Sequence, residues 1–166
     1  MPVLDPSWFA ASDQQTFPAP LRELIEAAPL PSLGAGPRDA PLATALANQQ
    51  ACLAALPASA LAGLWLLAGD LDASHAISQS LPDRNGSFWH GIMHRREGDF
   101  GNAKYWFHRV GRHPVLEQWA QTPYGHPDSF VDACQAAVRG QQAAKAESLQ
   151  QLQWLEWQLL FAHCLD

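Results

Sequence analysis

From Ala40 onward the apolar residues recur every three or four positions, and no alternating run of β-branched residues breaks the pattern. That period belongs to α-helices packed by one face, so the chain is predicted to be all-α. Proline and glycine then cut the pattern into pieces. Leu42, Leu46, Leu53 and Leu56, with Gln49 or Gln50 filling the register, predict a helix that Pro57 ends. Ser59 is expected to cap a helix over Ala60–Ala68, which Gly69-Asp70 stops. A short helix over Leu71–Ser80 ends before Pro82, and Asp83-Arg84-Asn85-Gly86 reads as a turn. Helices over Ser87–Glu97 and Phe100–Val110 meet at Gly98, with Asp99 as the cap of the second. After Gly111 a loop with Pro114, Pro123 and Pro127 is expected. Helices over about Asp128–Arg139 and Gln141–Cys164 follow, split by Gly140.

Residues 1–37 carry Pro2, Pro6, Pro18, Pro20, Pro29, Pro31 and Pro37, which leave room for one short helix, Leu21–Ala28. This segment is expected to be an arm that packs on the rest through Trp8, Phe9 and Phe17. Residues 38–166 then form one all-helical domain, a single-domain array of antiparallel hairpins large enough to bury a core. At 48% hydrophobic and 16% charged residues, the composition is that of a globular chain, not a disordered one.

The net charge of −6, and the interleaving of Glu97 and Asp99 with the basic residues from Arg95 to Arg112, argue against a nucleic-acid surface. The start, MPVLDPSWFAASDQQ, has neither the basic nor the apolar region of a secretory leader. The apolar window Ala51–Ala68 is broken by Pro57 and falls short of the roughly 20 residues of a membrane span. Cys52, Cys134 and Cys164 are odd in number with no CxxC, and read as reduced structural thiols. A cytoplasmic protein is expected, without nucleic-acid or membrane partners.

Leu-Ala-Gly-Asp-Leu at 67–71 returns as Arg-Glu-Gly-Asp-Phe at 96–100, each joining two helices. The second unit resembles a tetratricopeptide hairpin: Gly91, Gly98-Asp99-Phe100, Ala103 and Phe107 stand at the offsets of that pattern. The first unit lacks the leading glycine and the aligned alanine, and the offset is shorter than the roughly 34 residues of that repeat. The expectation is related hairpin geometry, tetratricopeptide-like in part.

The chemistry gathers between Ser87 and Pro114, which hold four of the seven histidines and two of the seven tryptophans. His90 and His94 occupy positions that a plain tetratricopeptide hairpin fills with leucine and tyrosine in its packing face. A buried imidazole without a partner costs roughly 1–3 kcal/mol, so both need one. His90, His94 and Glu97 lie at i, i+4 and i+7 and share a helical face, while Phe88, Ile92 and the stem of Arg95 share another. On the next helix Asn102, Tyr105, Trp106 and Arg109 group together beside the pair Lys104 and His108.

Three readings stay open. The first puts a divalent metal ion on His90 and His94, with Glu97 or His113 as a third ligand. The second is metal-free acid/base chemistry, with His90, His94 and Glu97 catalytic and Arg95, Lys104 or Arg109 holding an anionic group. The third is a structural network, with Glu97 and Asp99 paired to Arg95, Arg96 or Lys104. The expected function is binding of a small polar or anionic molecule, with ligand contacts from Arg95, Asn102, Lys104, Tyr105, Arg109 and His113. The alternative is a tetratricopeptide-like module for protein–protein interaction.

Elsewhere Asp70 reads as a cap, His75 and His163 as isolated on apolar faces, and His126 as a loop residue. Trp154, Trp157, Leu160 and Phe161, with Trp65 as partner, read as core. No Gly-rich phosphate loop and no GxSxG elbow is present.

The text HGIMHRREGDFGNAKYWFHRVGRHPV, with SHAISQ upstream and EWQLLFAHC at the end, resembles a family of bacterial and fungal proteins sharing the motif HxIxHRREGDxxNxKYWF…HP. The resemblance implies that His90, His94, Arg95, Arg96, Glu97, Asp99, Asn102, Lys104, Tyr105, Trp106 and His113 belong to that motif. It implies no reaction. Ala162-His163 stands where the family is expected to carry an acidic-aromatic pair.

Overall fold

The structure, a computed structural model, describes residues 19–165, and among them there is no strand. In chain order the helices are α1 (Ala19–Ala27), α2 (Ala40–Asn48), α3 (Gln50–Leu53), α4 (Ala58–Leu67) and α5 (Leu71–Ser78). They continue with α6 (Arg84–Glu97), α7 (Phe100–Val110), α8 (Pro114–Trp119), α9 (Pro127–Val138) and α10 (Ala146–Leu165), which a 3-10 turn, Ala143–Lys145, precedes. Trp8, Phe9 and Phe17, on which the packing of the N-terminal arm depends, lie outside the described residues, as does the Cys52 side chain. Among the described residues no helix is long and apolar enough to cross a membrane.

Four helices start in the same way. Asp39, Asp70, Asp83 and Asp99 each accept a hydrogen bond from the backbone N–H three residues on, at 3.0, 3.1, 2.7 and 3.1 Å. Each carboxylate satisfies a donor that the first helical turn leaves open. Asp70 and Asp99 act as expected. Asp83 corrects the reading of residues 83–86 as a turn, because it caps α6, which begins at Arg84.

The structure differs from the sequence expectation at four other places. The helix expected up to Leu56 breaks where Gln49 leaves the helical region (φ −105°, ψ 28°). Ser59 is no cap: α4 begins at Ala58, Pro57 holds the cap position, and no side-chain hydrogen bond is made there. The expected loop after Gly111 contains α8, because His113 caps it and Pro114 sits in its first turn, where the missing N–H costs nothing. The last helix begins at Ala146, five residues later than expected, after the 3-10 turn.

Successive helices from α4 to α7 pack on one another, α9 lies against α7, and α10 crosses α4, α8 and α9. Gly98 closes α6 in the left-handed region at φ 94°, which favours glycine. Gly91 and the fully buried Ala103 let α6 and α7 approach, since a Cβ on Gly91 would lie 3.3 Å from the Phe107 ring. The residues that resembled a tetratricopeptide hairpin therefore do packing work. The main core gathers Leu64, Phe88, Trp89, Ile92, Phe107, Leu160 and Phe161. A smaller one holds Trp119, Phe130, Cys134 and Leu149. Trp154 stacks on Trp157 at 5.1 Å and Trp157 on Phe161 at 4.5 Å, so the tryptophan stripe of α10 is core.

Candidate functional site

Packing α5 on α6 brings a third histidine to the two that α6 supplies. The rings of His90 and His94, one turn apart, are stacked at 4.6 Å with an interplanar angle of 15°. His75 of α5 meets both edge-on, at 4.6 Å from His90 and 5.4 Å from His94. One ring nitrogen from each of the three lies within 4.8 Å of the other two. Trp106 of α7 stacks on His90 at 4.0 Å, and the Arg109 guanidinium lies over Trp106 at 4.9 Å. Two aromatic walls thus fix the His90 ring.

Glu97 Oε1 lies 2.5 Å from His94 Nδ1. An ionised carboxylate only accepts, so Nδ1 carries the hydrogen and the lone pair of His94 is on Nε2. The Asn102 amide nitrogen lies 3.0 Å from that Nε2 and donates to it. His90 is 3% exposed, and its buried Nδ1 has no hydrogen-bond partner among the described residues. Burial, then the neighbouring His94 and His75, pull its pKa down to about 4. His90 is therefore neutral at pH 7. His75 is half-buried, on the side of the cluster open to solvent. His94, Glu97 and Asp99 form an overlapping group within the same distance, but Asp99 is exposed and caps α7.

Three imidazole nitrogens this close to one another suit a borderline cation such as Zn²⁺. A tetrahedral zinc with nitrogens at about 2.05 Å separates them by about 3.4 Å, so closing on an ion takes a ring movement of roughly an ångström. Glu97 behind His94 is the carboxylate–histidine arrangement that orients a ligating ring.

Of the residues singled out from the sequence, His90, His94, Glu97, Asn102 and Trp106 come together. The others are engaged elsewhere. Arg95, expected at a ligand, is fully buried; it pairs with Glu156 through both terminal nitrogens and lies over the Phe130 ring at 4.6 Å. Burial opposes its charge, but Glu156 outweighs this and holds its pKa above the ordinary arginine value. Lys104 bonds Asp132 at 2.6 Å. Tyr105 is 54% exposed, and its hydroxyl accepts from Arg109 at 3.2 Å. Arg109 reaches the cluster only through Trp106. His113 is a helix cap: its Nδ1 accepts from Val115 N at 3.2 Å, and its Nε2 donates to Asn85 at 2.8 Å. Burial and the nearby His163 lower its pKa to about 4. The expected pairing of Glu97 and Asp99 with Arg95, Arg96 or Lys104 is likewise corrected, since Arg96 donates to the carbonyls of Leu66, Ala35 and Gly34.

His75 is the residue that sequence reasoning missed. It was expected to be isolated, yet it lies on the second helix of the first hairpin, the helix that a stacked array presses against the next unit. His163 was missed too, and meets His113 edge-on at 4.7 Å. His126 repeats the capping role of His113 at α9, with Pro127 following. Cys134 and Cys164 are free and buried, and burial pushes both thiols up to about 11, which leaves them inert.

Fold and site together define a class: an all-α array of helical hairpins with a three-histidine cluster between its second, third and fourth packed helices. No family model, curated protein or solved structure matches the chain.

Proposed function

We propose that His75, His90 and His94 form a divalent-cation site of the zinc type, at which the protein binds a small polar or anionic molecule. One observation carries this reading: three ring nitrogens lie within 4.8 Å of one another; a buried His90 nitrogen without a hydrogen-bond partner among the described residues supports it. A bound cation would supply Lewis-acid polarisation of whatever occupied its remaining position. His94 would bind through Nε2 while Glu97 keeps its ring in place, and half-buried His75 leaves an approach from solvent. Asn102 then has to yield the Nε2 lone pair and is free to donate to the incoming molecule. The rival reading, a tetratricopeptide-like partner-binding module, calls for no inward-facing histidine cluster. The free thiols of Cys134 and Cys164 fit a cytoplasmic location.

The test is metal uptake by purified protein stripped with a chelator and titrated with Zn²⁺ and Co²⁺. One equivalent is expected, with Co²⁺ giving the visible absorption of a low-coordinate nitrogen site. His75→Ala, at the half-buried ligand, is expected to keep the fold by circular dichroism and to weaken uptake at least about tenfold. Wild-type protein that takes up no stoichiometric metal, together with a His94→Ala variant that unfolds, would return the cluster to a structural role.

A further inference from the structure

Arg96 stands in the same run of residues as the histidines, but the cluster makes no use of it. The residue is 3% exposed. Nη1 donates to Leu66 O, Nη2 to Ala35 O at 3.2 Å and Nε to Gly34 O at 3.5 Å. Among the described residues no carboxylate stands within ion-pair distance of it. A guanidinium has five N–H groups, so one on each of Nη1 and Nη2 is left without an acceptor. Carbonyl dipoles offset part of the cost of burying a cation, but a buried charge ordinarily has a counter-charge as well.

Arg96 also lines a cavity of about 230 Å³, bounded by the chain at Pro29–Ser32 and Pro37–Asp39 and by Leu67 and Gln150. Arg38 is a second cation in the lining; its side chain is 57% exposed and bonds Asp70 at 2.7 Å. The acid in the lining, Asp39, has its Oδ1 committed to the N–H of Leu42 at 3.0 Å. Ser32 adds a hydroxyl, and the prolines and leucines supply apolar wall.

We propose that this cavity binds a small oxyanion, a carboxylate or a phosphate group, whose two oxygens take the open N–H groups of Arg96 while Arg38 holds it from the solvent side. Guanidinium forks match two-oxygen anions in this way, and such pairs are stronger than neutral hydrogen bonds. The cavity is smaller than the roughly 300–1,000 Å³ of drug-sized sites, so the ligand is a short acid or a phosphate ester with a small stem. This site is independent of the histidine cluster.

The experiment titrates ¹⁵N-labelled full-length protein with inorganic phosphate and with acetate at constant ionic strength, with chloride as control. Saturable shifts are expected at the amides of Gly34 and Ala35 and at the Arg96 side chain, absent with chloride. Stronger phosphate binding points to phosphate esters, and stronger acetate binding to carboxylic acids. Arg38→Glu, at an exposed position, is expected to keep the fold and weaken binding about tenfold or more. Arg96→Lys keeps the charge but loses the fork and is expected to abolish the shifts; if it fails to fold, the Arg38 variant decides alone. No saturable shift with either anion, or an Arg38→Glu protein that binds as tightly as wild type, overturns the proposal.

Discussion

Glu97 bonds His94 Nδ1 at 2.5 Å, and this one contact decides which nitrogen of that ring is free. Glu97→Gln keeps an acceptor in place but removes the charge that favours a metal-bound imidazole. It is expected to lower Zn²⁺ affinity about 10- to 100-fold, read by competition with a chromogenic chelator, and to leave the unfolding midpoint unchanged. His113 is a different use of the same residue type. His113→Ala removes the cap of α8 and strands Asn85, and is expected to cost about 1–2 kcal/mol in urea unfolding. His113→Asn keeps a capping oxygen and is expected to recover most of that loss. The helical spacing of His90, His94 and Glu97 was legible in the sequence because i, i+4 and i+7 share a face whatever the helix packs against. His75, in another helix, has no such fixed relation to them.

Helix α6 is polar for a central element, and its polar groups are spent in three directions. His90 and His94 face α5 and α7, Arg95 reaches Glu156 of α10, and Arg96 reaches the backbone at 34–35 and at Leu66. The Arg95–Glu156 pair is wholly buried, so its two charges are costly to take from water and worse to leave alone. Arg95→Met or Glu156→Leu alone is expected to lose about 3–5 kcal/mol, and the double variant to regain most of it, read as a double-mutant cycle in urea. Helix punctuation was legible where an aspartate follows glycine, as at Asp70 and Asp99. It was misread at His113-Pro114. There a proline-containing stretch reads as a loop, although in a first helical turn proline is an ordinary resident.

Across the molecule, acid is the condition that should separate folded from unfolded chains. His90 and His113 are both held near pKa 4 by burial, against about 6.5 when exposed. Between those values the unfolded chain takes up protons that the native protein refuses, so stability falls as pH drops from about 6.5 towards 4 and is fully present above that window. Urea midpoints measured at pH 7.5, 5.5 and 4.5 are expected to fall in that order, with a shallower fall in His113→Asn. Protons and a cation also compete for the same cluster nitrogens, so bound metal should be released over the same acid range.

The period of the apolar residues by itself determined that the chain is helical, its prolines, glycines and aspartates marked many of the breaks, and the resemblance to a tetratricopeptide hairpin put Gly91 and Ala103 at a helix contact. Those are local matters of period, capping and side-chain size. Only the tertiary structure decided that His75 joins His90 and His94, that Arg95 meets Glu156 some 61 residues away, and that Arg96 is buried with no carboxylate beside it among the described residues. Such meetings depend on which faces of separate helices are pressed together, and that is set by the packing of the whole core, not by any one helix.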